Sequence, residues 1–80
     1  MKFEKINAEA YSGYKVNERP VAFTFRGRQY RVVEVRDRWY EGRSGSQQLD
    51  YFKVRADDHR IYILRYNNLF DAWSILLADE

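Results

Sequence analysis

The sequence predicts an all-β domain: a small antiparallel barrel or half-barrel of five to six strands and SH3-like size. From Pro20 onward the apolar residues recur with a period close to two, the spacing of strands, not of helices. The β-branched and aromatic runs are separated by short clusters of Gly, Asp, Asn and Ser that suit tight turns. Eighty residues, 45% hydrophobic and 18% aromatic, can furnish one small core, so residues 1–80 are read as a single β domain.

The elements follow in chain order. In residues 1–18, Ile6, Ala8 and Ala10 alternate as in a strand while Tyr11-Ser12-Gly13-Tyr14 reads as a turn, so this segment is expected to be less regular than the rest. Val21, Phe23 and Phe25 alternate with Ala22, Thr24 and Arg26, and Gly27-Arg28 suits a two-residue type II′ turn with glycine first. That turn sets Phe25 opposite Tyr30 and Phe23 opposite Val32, joining strands near 20–26 and 29–39. Past Val32 the apolar phase slips to Val33 and Val35, which suggests a bulge or a strand covered on both faces. Residues 41–48 have no apolar period and read as a mobile Gly/Ser loop.

A second hairpin is expected from strands near 50–57 and 60–66. A loop of Asp58-His59 pairs Ala56 with Ile61, Val54 with Ile63, Arg55 with Tyr62, Lys53 with Leu64 and Tyr51 with Tyr66. A five-residue loop, Asn67 to Asp71, then leads into residues 72–77. There Trp73, Ile75 and Leu77 favour a strand over a short helix capped by Asp71. The expected core is Val21, Phe23, Phe25, Val54, Ile61, Ile63 and Ile75.

With the strands placed, one spaced set of residues carries a resemblance: Arg19-Pro20-Val21, Phe25, Gly27, Tyr30, Val32, Arg38-Trp39, Tyr51-Phe52, Val54-Arg55, Tyr62, Leu64 and Trp73. Over roughly residues 19–77 the chain resembles the small bacterial domain of unknown function 6504 family. Its members occur alone and at the C-terminus of proteins similar to translesion DNA polymerases. The resemblance implies an accessory module that sometimes accompanies DNA-handling proteins, and it brings no catalytic or ligand residue with it.

Composition narrows the chemistry. The absence of cysteine excludes disulfide scaffolds, Cys-ligated metals and thiol nucleophiles, and it fits a reducing cytoplasm. No apolar run approaches the roughly 20 residues of a spanning helix or the roughly seven of a signal segment, so a soluble cytoplasmic chain with no membrane partner is expected. A formal net charge of +2 conceals an asymmetry: residues 19–65 carry ten arginines and Lys53 against six acids, whereas residues 66–80 carry three acids and no base. The single histidine, His59, sits in a turn between Asp58 and Arg60, and no serine lies in a nucleophile-elbow sequence. Asp57 with His59 makes a hydrogen-bonded turn more simply than a metal site. Gly42-Arg43-Ser44-Gly45-Ser46 lacks the Gly-Lys-Ser/Thr ending of a phosphate loop. No catalytic residue, metal or cofactor is therefore expected, and the chain is read as not an enzyme.

The feature richest in binding chemistry is the outer face of the second hairpin, where the expected register aligns Tyr51, Lys53, Arg55, Tyr62 and Tyr66. Rings that stack on bases, interleaved with cations that follow phosphates, are what a single-stranded DNA or RNA platform requires, and Arg26, Arg28 and Arg31 extend it. The same neighbours also stabilise a solvated sheet through stem packing and cation–π contact, with no ligand. The alternative is a protein partner, docking on an edge strand or on the Leu69/Phe70 loop; that pair otherwise folds back over the open end of the barrel.

Overall fold

The computed structural model describes residues 2–11, 19–42 and 48–77. They form β1 (Lys2–Tyr11), β2 (Arg19–Phe25), β3 (Arg28–Gly42), β4 (Gln48–Ala56), β5 (Ile61–Asn67) and β6 (Ala72–Leu77). Each strand pairs antiparallel with the next, and β1 also pairs with β6, so the sheet closes into a six-stranded barrel. The all-β reading holds, residues 72–77 are a strand, and the alternation of Ile6, Ala8 and Ala10 belongs to a regular β1. Glu41, Gly42 and Gln48 are strand residues; the rest of the expected Gly/Ser loop lies outside the described residues, as do Ser12, Gly13 and Tyr14 of the expected first turn.

The core gathers one face of every strand: Ile6, Phe23, Phe52, Val54, Ala56, Leu64, Tyr66, Trp73 and Ile75, with Phe25, Tyr30, Val32 and Val35 packed against it. Phe23, Val54 and Ile75 stand where the sequence placed them. Val21 does not, because a register shift sets Ala10 opposite Pro20 while Glu9 is opposite Ala22. The extra residue on β2 is Val21, and Pro20 takes the fully buried position instead.

The first hairpin turns one residue earlier than expected. Phe25 is opposite Arg28 and Phe23 opposite Tyr30, leaving Arg26-Gly27 as the loop. Both loop residues have positive φ, 51° and 82°, which defines a type I′ turn with glycine second. Moving a two-residue loop by one position shifts the pairing by two, so Tyr30 and Val32 keep the core face.

β3 carries the expected phase slip twice. Val32 is opposite Ala56 and Glu34 opposite Arg55; then Val35 is opposite Val54 and Asp37 opposite Lys53. Val33 and Arg36 are the inserted residues. The first bulge turns Val35 inward, and the second turns Trp39 outward beside Tyr51.

The second hairpin is where the sequence register fails. The Ala56 carbonyl accepts from the His59 amide at 2.9 Å, and the Ala56 amide donates to the Arg60 carbonyl at 3.0 Å. His59 has φ 69°. This is a three-residue loop, a type I turn closed by a left-handed residue, in place of the two-residue Asp58-His59 loop. One more loop residue sets Arg55 opposite Ile61, Val54 opposite Tyr62 and Phe52 opposite Leu64, which reverses the faces of β5. Ile61 is 42% exposed and Ile63 half-buried, while Leu64 and Tyr66 enter the core. The next loop errs by one as well: four residues, not five, separate Asn67 from Ala72, which it pairs. The two errors cancel, and Trp73 and Ile75 face inward as expected.

Candidate functional site

The corrected register divides the expected platform. Tyr51, Lys53 and Arg55 lie on the outer wall. Tyr62 and Tyr66 turn inward, because β5 presents them on the same face as Leu64. Tyr66 is 7% exposed, packs on Trp73 at 5.1 Å between ring centroids, and donates its hydroxyl to Asp71 Oδ1 at 2.7 Å. Tyr62 lies 5.4 Å from the Phe23 ring and 5.5 Å from Tyr30, closing one end of the barrel. Both rings are thus engaged by inward neighbours and stand off the outer wall that carries Tyr51, Lys53 and Arg55.

Arg26 and Arg28 do not extend the wall either. Arg26, in the turn, meets Glu4 at 3.3 Å, and Arg28 lies over the Tyr30 ring at 4.8 Å from its centroid. Arg31 is exposed on β3, its carbonyl accepting from the Asp57 amide at 2.9 Å. Leu69 and Phe70 stay outside the barrel, the latter 70% exposed, so this pair is not the lid it resembled in sequence. The turn is held by Asn67 Oδ1, which accepts from the Leu69 and Phe70 amides.

The outer wall assembles a different row. Trp39 of β3 stacks on Tyr51 of β4 with parallel rings 5.4 Å apart. Tyr51 meets the edge of Phe3 at 6.2 Å, and the Arg65 guanidinium sits 3.9 Å over the Phe3 ring. Phe3 comes from β1 and reaches this group past β6, where Ser74, small and opposite both Arg65 and Lys5, leaves room. Rings and one guanidinium thus run across the wall from β3 to β1. Trp39 remains 40% exposed at its end.

Charge divides along the same wall. On the β3 side each β4 group faces an acid: Arg55 pairs with Glu34 at 3.2 Å, Lys53 is opposite Asp37, and the Tyr51 hydroxyl donates to Glu41 at 2.9 Å. Exposed pairs of this kind contribute about 0–1 kcal/mol each. Toward β5, β6 and β1 the outward positions Ile63, Arg65, Ser74, Leu76, Phe3 and Lys5 hold two cations and no carboxylate. Burial and the Glu41 hydrogen bond raise the Tyr51 pKa, against a lowering from Arg65, so its hydroxyl stays protonated at neutral pH.

Sequence reasoning missed Phe3, Lys5 and Arg65 and left Trp39 as a strand end. Trp39 was legible in principle: counting both bulges of β3 brings it opposite Tyr51. Phe3 and Lys5 depend on the barrel closing, which no local pattern announces.

His59 occupies the left-handed turn position and is exposed. Among the described residues no three His, Cys, Asp or Glu side chains come together as metal ligands, and no helix is long and apolar enough to cross a membrane. Beside His59, Asp58 accepts from the Tyr62 hydroxyl at 2.6 Å and from the Arg60 amide at 3.0 Å. The Tyr62 bond chiefly holds the Asp58 pKa below the usual carboxylate range, while burial, then Asp58, pushes Tyr62 well above the usual tyrosine range. The depressed carboxyl stabilises the fold above its unfolded pKa, near 4, and this is lost as pH falls through the lower folded value. The raised phenol stabilises the fold up to about pH 10, and this is lost as pH rises toward its folded value. Tyr62→Phe is expected to raise the Asp58 pKa, read by carboxyl NMR titration, and to reduce the alkaline loss in denaturation curves, the part due to Tyr51 remaining. An unmoved Asp58 titration would show that the hydrogen bond is not what holds it.

The fold and this wall define a class: a small closed antiparallel β-barrel domain bearing an external row of rings and cations. Residues 4–76 match the family described as Domain of unknown function (DUF6504), and the chain belongs to it, in agreement with the resemblance carried by the sheet residues. No curated protein and no solved structure matches the chain.

Proposed function

We propose that this chain is a non-catalytic accessory module of the bacterial cytoplasm that binds single-stranded DNA or RNA weakly and without strong sequence preference. The interface comprises Trp39, Tyr51, Phe3, Arg65, Lys53 and Lys5. The observation that carries this reading is the row of Trp39, Tyr51, Arg65 and Phe3 on the outside of a barrel whose core is already complete without it. An exposed indole face accepts a base, and stacking of this kind is worth about 1–3 kcal/mol per base. Arg65 and Lys5 supply a phosphate track at the outward positions without carboxylates, and Lys53 borders it from β4, opposite Asp37. The acids along β3 limit the total, so affinity is modest and strongly salt-dependent. The absence of cysteine and the family resemblance support the cytoplasmic, bacterial setting.

Titration with a short oligothymidylate at low salt tests the reading through tryptophan fluorescence, since Trp39 is exposed and Trp73 is buried. Binding should quench the emission. Trp39→Ala, followed by chemical-shift titration, should weaken binding by about 1–3 kcal/mol, and Lys53→Ala should reduce the salt slope by about 0.7, one single-strand phosphate. No binding at low salt, or equal binding by wild type and a Trp39→Ala/Lys53→Ala double variant, would remove nucleic acid from this wall.

A further inference from the structure

The barrel wall is open at one place. β5 and β6 pair from Asn67 opposite Ala72 as far as Leu64 opposite Ile75, and there the ladder ends. Among the described residues, β5 continues through Ile61–Ile63 paired only with β4, while β6 continues through Leu76 and Leu77 paired only with β1. Between these two segments lies an open groove of about 460 Å³, lined by Phe25, Tyr62, Ile63 and Leu76 together with Arg26 and Arg60. Two unpaired strand edges thus face each other across an apolar floor, and the charged side chains lining it are both cationic.

We propose that this groove is a docking site for an extended, acidic-apolar peptide segment of a partner protein. The segment pairs with the free edge of β5 at Ile61–Ile63. Its alternate apolar side chains enter the groove against Phe25, Ile63 and Leu76, and its carboxylates meet Arg26 and Arg60. An exposed sheet edge is a ready template for an added strand: main-chain hydrogen bonds supply affinity and pockets for alternate side chains supply selectivity. The sign of the lining commits the partner's charge. Arg26 now meets Glu4 at 3.3 Å, but that pair is solvent-exposed and weak, so a peptide carboxylate can take its place. This site borders the outer wall, since Ile63 is opposite Lys53 and Leu76 opposite Phe3, but none of its lining residues belongs to the Trp39, Tyr51, Phe3 and Arg65 row, and its test does not depend on the nucleic-acid reading.

The test uses the whole chain and a peptide of roughly eight residues alternating valine with glutamate, long enough to span the edge at about 3.3 Å per residue. Its valine–lysine counterpart serves as control. Amide chemical shifts of Ile61–Ile63, Leu76 and Leu77 should move with the acidic peptide and not with the basic one, and the β5 amides should become slower to exchange. Arg26→Ala and Arg60→Ala, both at exposed positions, should each weaken binding about fivefold, with the sheet spectrum otherwise unchanged. Equal binding of the two peptides, shifts confined to another face, or no shift at millimolar peptide would overturn the proposal. So would self-association through the same amides, seen by sedimentation at rising concentration, if the acidic peptide does not compete with it.

Discussion

Phe52→Ala is expected to remove about 3–5 kcal/mol, the usual loss for emptying a fully buried phenylalanine site. Phe52 has 0% exposure, leans on Trp73 at 5.6 Å between centroids, and is covered on its other side by the Arg38 guanidinium at 4.9 Å. That cover is unusual for a core ring: a long polar side chain from the extended end of β3 acts as the roof. Its stem can sag only partly into the space left by the ring, so most of the cavity persists. A domain of this length has a total stability of about 4–12 kcal/mol, and the variant should sit at the margin of folding. Urea denaturation measures the loss, and Phe52→Leu, which keeps most of the volume, should cost under about 1.5 kcal/mol if the site is as described. A loss below about 1 kcal/mol for the alanine variant would contradict the placement of Phe52 in the core.

The second large effect discriminates between two registers of the β4–β5 hairpin. Leu64→Ala should cost about 2–5 kcal/mol and Ile61→Ala about 1 kcal/mol or less, because Leu64 is fully buried and Ile61 is 42% exposed. With a two-residue Asp58-His59 loop the order would reverse, since Ile61 would face the core and Leu64 the solvent. The comparison therefore tests the identity of the loop through residues outside it, and equilibrium denaturation of the two variants side by side decides it.

What the chain made legible and what it concealed follow from how each feature is encoded. Alternation along each strand is local, so the strand count, the single sheet class and the inward faces of Phe23, Val54 and Ile75 could all be read. Val21 was misplaced because the bulge that displaces it lies in the pairing with β1, outside the reach of its own neighbours. The β5 reversal has a subtler origin. Ile61, Tyr62, Ile63 and Leu64 are apolar or aromatic on both faces, so alternation there cannot choose a side and the loop length decides. Loop length in turn rests on His59 adopting the left-handed conformation at the third loop position, a role more often given to glycine or asparagine. Tyr51, Lys53 and Arg55 kept their outward face because β4 contains Phe52, Val54 and Ala56 at strict alternation. Trp39 joins them through the β3 bulges and Arg65 through the three-residue loop, while Phe3 and Lys5 join only through closure of the barrel.

That closure sets an order of assembly. Five of the six strand pairings join strands that are neighbours in the chain, whereas Lys2–Ile6 must find Trp73–Leu77 from the opposite end of the sheet. The loop-closure entropy of that last pairing is recovered only after the hairpins have formed a curved ribbon whose two outer strands already lie near one another. The seam is thus the step that turns a meander into a barrel and the slow event on the way to the native state. Phe3 reaches Tyr51 and Arg65 only once the seam is sealed, so the far end of the aromatic row is a product of completed folding: a ribbon with its seam open has Trp39 on Tyr51 and yet lacks the ring that Arg65 covers.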